Sequence, residues 1–392
     1  DIQSNTILNM ENPTTFLSTT ISSSSTILAS SSSSSSSVEQ QPQTPDRSPT
    51  KDEIALLQSA FASFYGQDRN VPQAYASLSK CIGIWEDTHQ GGDEIAGLYR
   101  VRGDVDMEQF QPNDAEADYA KAIQYLEGPD GDMADPEELP AARLGRARAV
   151  RSLGSAATTS QALQASKDYE IYFISISQED QEEVSAITKD SSGSEKTVVI
   201  SSAVVDGIQR NPYGAWEWGM VNRVAHNYDE AAEIHRLASS AFDEIGDKPR
   251  SVICALDRGL DLASGLDGSS SSDKEGKTKL ANAKQILDDA IKSDVNVGGR
   301  DVQLLQRVVA KEGEARLALA GILWDDGSSK GAAESQYGTA CARLDELNSD
   351  YNAREEERVK AGRKVEAKPK GASLGFSMED IVGAEEASCS RF

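Results

Sequence analysis

The stretch Gly219–Ala238, which reads GMVNRVAHNYDEAAEIHRLA, decides the fold of this chain. Ala231 is followed four residues later by the large side chain of His235 and three residues after that by Ala238, while Gly219 stands twelve residues upstream of Ala231. Positions i, i+4 and i+7 share one face of a helix, and small residues there let a second helix approach closely. A helical glycine costs about 1 kcal/mol relative to alanine, so a packing contact is a physical reason for its presence. The stretch therefore predicts two closely packed helices.

The same spacing returns along the chain. The glycine, the two alanines and the large residue between them recur at the same intervals in two further places, and weaker matches surround Ala74, Ala165 and Ala283. Such recurrence is typical of helical-repeat proteins, in which each unit packs on its neighbours. The positions that we assign to the pattern are Gly103, Ala115, Tyr119, Ala122, Gly219, Ala231, His235, Ala238, Gly321, Ala333, Tyr337 and Ala340. We expect each of these glycines to lie against the large residue that follows it.

Apolar periodicity predicts an all-α chain with six helix pairs between residues 52 and 350. Asp52 is the predicted N-cap of the first helix, and the next helix begins near Pro72. Residues 171–176 and 197–205 are rich in β-branched and aromatic side chains, so they could form short strands or helix, and helix is preferred. The remaining pairs are predicted at residues 94–110 with 113–126, 140–153 with 160–173, 213–226 with 228–245, 249–264 with 277–292, and 301–325 with 330–350.

Both ends of the chain differ from this helical region. Residues 1–50 contain long serine runs and should be a disordered leader, either a simple flexible segment or the remnant of a transit peptide. Arg47 is the only basic residue there, whereas transit peptides are normally rich in arginine. We expect residues 351–392 to be a flexible, truncated tail. Its basic part, residues 353–370, is either the exposed end of the last helix or a docking segment for an anionic surface.

Charge and cysteine content narrow the classes of partner and compartment. Most of the formal net charge of −25 falls in residues 51–352, and so acidic a region repels nucleic acid and favours a protein partner with a basic surface. Acidity that only maintains solubility is the alternative. Four widely spaced cysteines predict reduced, buried thiols and a reducing compartment. We find no apolar run long enough to span a bilayer, although peripheral membrane association through a complex remains open.

Motifs that carry chemistry are not found in the sequence. There is no phosphate-binding glycine loop, no nucleophile elbow and no cluster of His, Cys and Asp at ligand spacing, so we expect no enzyme, no cofactor and no metal. His235 occupies the large-residue position and is interpreted as a core side chain. Trp216 and Trp218 are interpreted mainly as packing residues, with a ligand-binding aromatic pair as the alternative.

The stretch from Gly219 to Ala238, with NYDEAA at its centre, resembles the tetratricopeptide repeat nearly position for position, and Gly321 to Ala340 is similar. The marker alanines lie 41 to 66 residues apart, whereas the standard repeat has about 34 residues, so insertions separate the pairs. The segments at 211–219, 241–247 and 301–315 resemble a group of such proteins in plants and algae that are mostly predicted to be in the chloroplast. This resemblance implies a right-handed helical-repeat solenoid and a chloroplast location, with a cytoplasmic location as the alternative.

Aligning the repeats on their glycines gives a candidate groove for a partner. The groove positions lie on the first helix of each predicted pair, and these helices are called first helices below. The positions are Arg100, Asp104, Trp216, Met220, Arg223, Ala318, Ile322 and Asp325. This set is apolar and acidic with isolated arginines, so it does not match the basic clamp by which some tetratricopeptide domains hold a C-terminal carboxylate. We therefore expect a non-enzymatic binding scaffold, such as an assembly or accessory factor of a chloroplast complex. A permanent structural subunit of a larger photosynthetic assembly is the alternative.

Overall fold

A computed structural model describes residues 49–88, 92–128, 137–177, 200–265, 274–293, 302–325, 330–343 and 345. These residues are predominantly helical, and no strand occurs among them, so the prediction of an all-α chain is confirmed for the part described. The helices, numbered in chain order, are α1 (Lys51–Tyr65), α2 (Val71–Asp87), α3 (Gly92–Glu108), α4 (Pro112–Leu126), α5 (Glu138–Leu153), α6 (Thr159–Ile176), α7 (Ser202–Arg210), α8 (Pro212–Val224), α9 (Tyr228–Glu244), α10 (Lys248–Ser264), α11 (Lys274–Ile291), α12 (Val302–Asp325) and α13 (residues 330–343).

Local sequence accounts for where these helices begin. Thr50, rather than the predicted Asp52, caps α1, because its hydroxyl accepts from the Glu53 backbone while the Glu53 carboxylate accepts from the Thr50 backbone. A proline stands in the first turn of α2, α4, α8 and α10, where its missing N–H leaves no hydrogen bond unmade. Turns of three residues join α3 to α4, α8 to α9 and α9 to α10, so each of these pairs folds back as a hairpin.

The chain divides into two compact units, residues 1–145 and 146–392, with the boundary inside α5. In the first unit α1 packs on α2, α2 on α3 and α3 on α4. Its core is built from apolar side chains of these helices that are almost fully removed from solvent, among them Leu78, Trp85, Ile95 and Leu98. Burial of such side chains, at roughly 1.5–3 kcal/mol each, is the main stabilising contribution to the unit.

In the second unit α8 packs on α9, α9 on α10, and α10 on both α11 and α12. The ring of Phe173 in α6 stacks on Trp218 in α8 with 5.5 Å between ring centroids, and the Trp218 indole N–H donates to Ser166. Trp218 is therefore a packing residue, as the sequence indicated. Another apolar cluster joins α10, α11, α12 and α13 through Leu256, Leu287, Leu319 and Ala333.

The ambiguous β-branched stretches are helical where the structure describes them. Residues 171–176 continue α6, and residues 202–205 begin α7. Helix α7 lies between the helices of two predicted pairs and packs on α6, α8 and α9. Its buried residues, Ala203, Val204, Gly207 and Ile208, form one face, and this face explains why a segment with strand-like composition folds as a helix.

The predicted contact between glycine and a large side chain exists at two of the three positions. A methyl group placed on Gly219 would lie 2.4 Å from Nε2 of His235, and one on Gly103 would lie 3.0 Å from the Tyr119 ring. At Gly321 the prediction was wrong, because a methyl group there would have no atom within 4 Å. Gly321 is exposed and Tyr337 is only partly buried, so the partner helix does not press on this glycine.

Two further close contacts were not expected. A methyl group on Gly145 would lie 2.4 Å from the Tyr119 ring, so this ring contacts glycines of both α3 and α5. A methyl group on Gly259 would lie 2.5 Å from Leu287. The alanines that flank the large residues are buried throughout the pattern, at Ala115, Ala122, Ala231, Ala238, Ala333 and Ala340.

Several predictions fall on other parts of the chain. Outside the described residues lie the serine-rich leader up to residue 48, the tail at 351–392, and residues 178–199 and 266–273 within the insertions that separate the predicted pairs. Cys81 and Cys254 are free and buried, as expected. Cys341 is disulfide-bonded, so the expectation of reduced thiols was wrong at that position. No helix of the described part is long and apolar enough to cross a membrane.

Candidate functional site

A group of polar side chains, several of them fully buried, lies where α8, α9, α10 and α12 meet in the second unit. We call it the ionic cluster, and its members are Trp216, Arg223, His235, Asp257, Asp261 and Lys311. Asp257, Asp261 and His235 have no exposed surface, and Lys311 is 4% exposed. Arg223 remains partly exposed, so the cluster reaches the surface through its guanidinium. Two of its members, Trp216 and Arg223, belong to the predicted groove.

Helical spacing places the members of the cluster opposite one another. Asp257 and Asp261 are one turn apart on α10 and receive the Arg223 side chain of α8, whose Nη2 lies 3.0 Å from Oδ1 of Asp257. From α12, Nζ of Lys311 lies 3.1 Å from the same oxygen. The Trp216 indole N–H donates to the other oxygen of Asp257 at 2.9 Å. Asp257 therefore joins α10 to α8 and α12, and these three are the first helices of successive predicted pairs.

Burial and charge act in opposite directions on these groups. Burial alone would raise the pKa of Asp257, but Lys311 and Arg223 hold that pKa well below its ordinary range. Burial lowers the pKa of Lys311, yet Asp257 and Glu314 raise it above its ordinary value. Both groups are consequently charged near neutral pH. Removal of one partner from such a buried pair costs about 3–5 kcal/mol, because the other charge is left uncompensated.

His235 and Asp261 resemble half of a catalytic arrangement, but their surroundings oppose catalysis. Nδ1 of His235 lies 2.6 Å from Oδ2 of Asp261. Nε2, which would have to meet a nucleophile or substrate, is buried without a hydrogen-bond partner and faces Gly219. Cys254 is fully buried, and burial raises its pKa well above the ordinary range, so its thiol is inert. The histidine therefore fills the core position predicted for it.

A smaller counterpart exists in the first unit. Arg100 on α3 is only 8% exposed and contacts Glu138 on α5 at 2.6 Å and Asp104 one turn along α3 at 3.3 Å. Oδ1 of Asp104 accepts from the Tyr119 hydroxyl at 2.6 Å. Arg100 and Asp104, both predicted groove residues, thus meet in a contact between successive first helices.

The other predicted groove residues are not part of these networks. Met220 is 8% exposed and belongs to the core. Ala318 and Ile322 are partly buried and pack against the apolar cluster of α10 to α13. Asp325 ends α12, but its side chain is outside the described part of the structure. The predicted groove therefore contributes side chains to helix packing, and only some of their surface remains available to a partner.

Ion pairs also join other neighbouring helices in the second unit. Glu217 on α8 is held by Arg148 at 2.9 Å and by Arg151 at 3.3 Å, both from α5. Burial would raise the pKa of Glu217, but the two arginines lower it. Arg146 forms two bonds of 2.7 and 2.8 Å with Asp168, which has no exposed surface. Ion pairs between an arginine of a first helix and an acid of a neighbouring helix therefore recur along the chain.

Sequence reasoning missed Asp257, Asp261 and Lys311, the acceptors and second cation of the cluster. One signal was present, because Asp257 and Asp261 share a helix face with the buried Cys254 at spacings of three and seven residues. Acids on an otherwise apolar face require cationic partners when they are buried. No signal in the sequence identified which cations those would be, since Arg223 and Lys311 are far apart along the chain.

No metal site is found among these side chains, and no family model matches the chain. In the part of the chain that the structure describes, no group of three or more His, Cys, Asp or Glu side chains could hold a metal ion. A scan against protein-family models finds no match, and a search of curated proteins finds no similar sequence.

Proposed function

We propose that this chain is a non-enzymatic scaffold that binds a protein partner along the first helices of its helix pairs. The observation that carries the proposal is the ionic cluster. Its titratable side chains bind one another and hold α8, α9, α10 and α12 together. A catalytic site needs polar groups that converge on a space for substrate. Asp257, Asp261 and His235 instead converge on one another.

The proposal includes a right-handed solenoid similar to tetratricopeptide repeats, with its concave face formed by first helices. Packing of α10 on both α11 and α12 supports this arrangement, because in a solenoid a first helix contacts its own partner and the next first helix. The small residues at Gly103 and Gly219, each against a large residue of the following helix, support it further. The net charge of −25 favours a partner with a basic surface.

Capture experiments with matched charge variants test the proposal. The full chain serves as bait in an extract of its source cells, and stoichiometric partners are compared at low and high salt. Asp104→Asn and Glu314→Gln remove partly exposed acids of first helices, whereas Asp114→Asn and Glu233→Gln remove acids of second helices. We expect the first pair of variants to weaken capture and the second pair to leave it unchanged. Capture by wild type should also weaken as salt rises, because the attraction is screened.

Other results would reject parts of the proposal. Equal effects of the two pairs of variants would contradict binding along the first helices, and the absence of any stoichiometric partner would contradict a scaffold. The alternative is a constitutive subunit of a larger assembly, such as a photosynthetic complex. It predicts that the endogenous chain is found only within that assembly and does not leave it at high salt. An assembly factor should instead be found partly free.

We also propose a chloroplast location, which rests on the resemblance to the plant and algal group and on the serine-rich leader. Fractionation of source cells with an antibody against the second unit tests it. Recovery of the protein with the soluble chloroplast fraction or with a chloroplast complex would support the proposal. Recovery in the cytosol alone would contradict it.

A further inference from the structure

Asp106, near the end of α3 in the first unit, is a buried acid without a hydrogen-bond donor. It is 1% exposed, and neither oxygen of its carboxylate accepts a hydrogen bond from a donor among the described residues. An ionised carboxylate buried in this way is strongly unfavourable, whereas a protonated one loses far less on leaving water. Other buried acids in the chain, such as Asp168 and Asp257, are each held by a cation. Asp106 therefore requires a different explanation.

The hairpin of α3 and α4 places other acids beside Asp106. Arg102 lies one turn before Asp106 on α3 and forms two bonds of 2.6 Å with Asp118 of α4. Because the two helices run in opposite directions, one turn forward on α3 corresponds to one turn backward on α4, from Asp118 towards Asp114. Asp106 thus lies alongside Asp118 and Asp114, and the nearby arginine is already bound by Asp118.

Neighbouring helices supply little additional positive charge to this position. Helix α2 contributes Ser79, which accepts from Arg102 at 3.2 Å, and the Tyr75 ring, 5.7 Å from the Arg102 guanidinium. From α5, the acid Glu138 is bound to Arg100. The charged groups that act most strongly on Asp106 are therefore Asp118, Asp114 and Arg102, with two negative charges against one positive.

A metal ion could in principle supply the missing charge, but the geometry opposes it. Among the described residues, no three His, Cys, Asp or Glu side chains are arranged to hold a metal ion. Asp106, Asp114 and Asp118 are therefore not a metal site. A proton has no such geometric requirement. Two adjacent carboxyl groups can share a hydrogen bond when one of them is protonated, as in other carboxyl pairs.

We propose that Asp106 and Asp118 form a proton-sharing carboxyl pair that makes the pairing of α3 with α4 dependent on pH. Asp106 carries the proton and donates it towards Asp118, whose two oxygens also accept from Arg102. When α3 and α4 separate, Asp106 reaches water and releases one proton to the solvent. The carboxyl pair thus binds one proton at the hairpin of α3 and α4. This inference does not depend on the protein partner proposed above.

The direction of the pH effect follows from the raised pKa of Asp106. Burial, together with the negative charges of Asp118 and Asp114, raises the pKa of Asp106 to about 7, whereas an unfolded aspartate has a pKa of about 3.9. The folded unit therefore binds more protons than the opened one between these two values. The contribution of Asp106 to the stability of the unit is therefore fully present below about pH 4, is lost as pH rises towards 7, and levels off above that pH.

Hydrogen exchange of the full chain tests the effect on the hairpin. Peptides from α3 and α4 are followed between about pH 5 and pH 8, with correction for the intrinsic pH dependence of exchange. In wild type the opening constant should rise about tenfold per pH unit between pH 5 and 6.5, because one proton is released on opening. In Asp106→Asn, whose amide carries no charge, this dependence should disappear. Asp114→Asn serves as the matched control, and it should retain the dependence with a lower midpoint because one neighbouring charge is gone.

Infrared spectroscopy detects the proton directly. Wild type at about pH 6 should show the C=O band of a protonated, buried carboxylic acid that disappears as pH rises through about 7. The band should be absent from Asp106→Asn. Equal pH dependence of exchange in wild type and Asp106→Asn would overturn the proposal. If Asp106→Asn does not fold, the wild-type spectra decide alone, and the lack of a protonated-carboxyl band at pH 6 rejects the pair.

Discussion

The ring of His235 fills the space that a side chain at position 219 would occupy. A methyl carbon there would lie 2.4 Å from Nε2 and 2.6 Å from Cδ2 of a ring that has no exposed surface. Nδ1 of the ring is held by Asp261, so the ring cannot swing aside without breaking a buried contact of 2.6 Å. Close packing of α8 on α9 thus depends on the missing side chain of Gly219 and on the fixed ring together.

This dependence predicts different outcomes for two glycines that look alike in the sequence. Gly219→Ala should destabilise the second unit by about 1–3 kcal/mol, the usual range for overpacking. Gly321→Ala, where the methyl group meets open space, should instead stabilise by up to about 1 kcal/mol, because alanine favours helix. Denaturant unfolding followed by tryptophan fluorescence measures both, since Trp216, Trp218 and Trp324 lie in this unit. Equal destabilisation by the two variants would mean that α12 and α13 pack as closely as α8 and α9.

Single residues also show how far the sequence could be interpreted. Gly219, Ala231, His235 and Ala238 could be assigned because a fixed interval relates them within one hairpin with a short turn. Gly259 escaped assignment, although it contacts Leu287 in the same manner. The connection between α10 and α11 is longer, so the interval changes and the pattern is no longer visible. Partners such as Lys311 and Asp257 could not be paired at all, because their contact depends on how separate helices meet.

At the scale of elements, α7 is the helix that the repeat pattern did not require. It has nine residues, too few for stability in isolation, and so depends on its packing against α6, α8 and α9. Its closest contact is at Gly207, where a methyl group would lie 2.3 Å from the backbone oxygen of Phe173. Backbone atoms cannot rotate away as a side chain can, so α7 itself has to move if that space is filled.

Gly207→Ala should therefore release α7 while the rest of the second unit stays folded. Overpacking of about 1–3 kcal/mol corresponds to a loss of protection of roughly 5-fold to 150-fold in hydrogen exchange for residues 202–210. Peptides from α9 and α10 should change little. Gly83→Ala is the matched control, because Gly83 is also helical but has no atom within 4 Å of the added methyl group. Unchanged protection of α7 in Gly207→Ala would show that α6 and α7 do not need this close approach.

For the whole molecule, the important quantity is the imbalance of charge. The chain has 64 acidic against 39 Lys and Arg residues, and cations such as Arg223 and Lys311 are already paired with buried acids. The acids that remain on the surface repel one another, and this repulsion favours the expanded unfolded chain. Salt screens exposed charges within a Debye length of about 10 Å at 0.1 M, but it affects buried pairs much less.

The melting temperature of the full chain at neutral pH should therefore rise when sodium chloride is added up to about 0.15 M ionic strength. Each kcal/mol of relieved repulsion should raise it by about 2–4 °C, the usual scaling for units of this size. Calorimetry at about pH 4.5, near the sequence pI of 4.5, is the control, since the net charge is then close to zero and the salt effect should vanish. A melting temperature that falls with salt at neutral pH would mean that attraction between surface ion pairs outweighs repulsion. Acidity would then be part of what stabilises the fold, and not a surface property available to a basic partner.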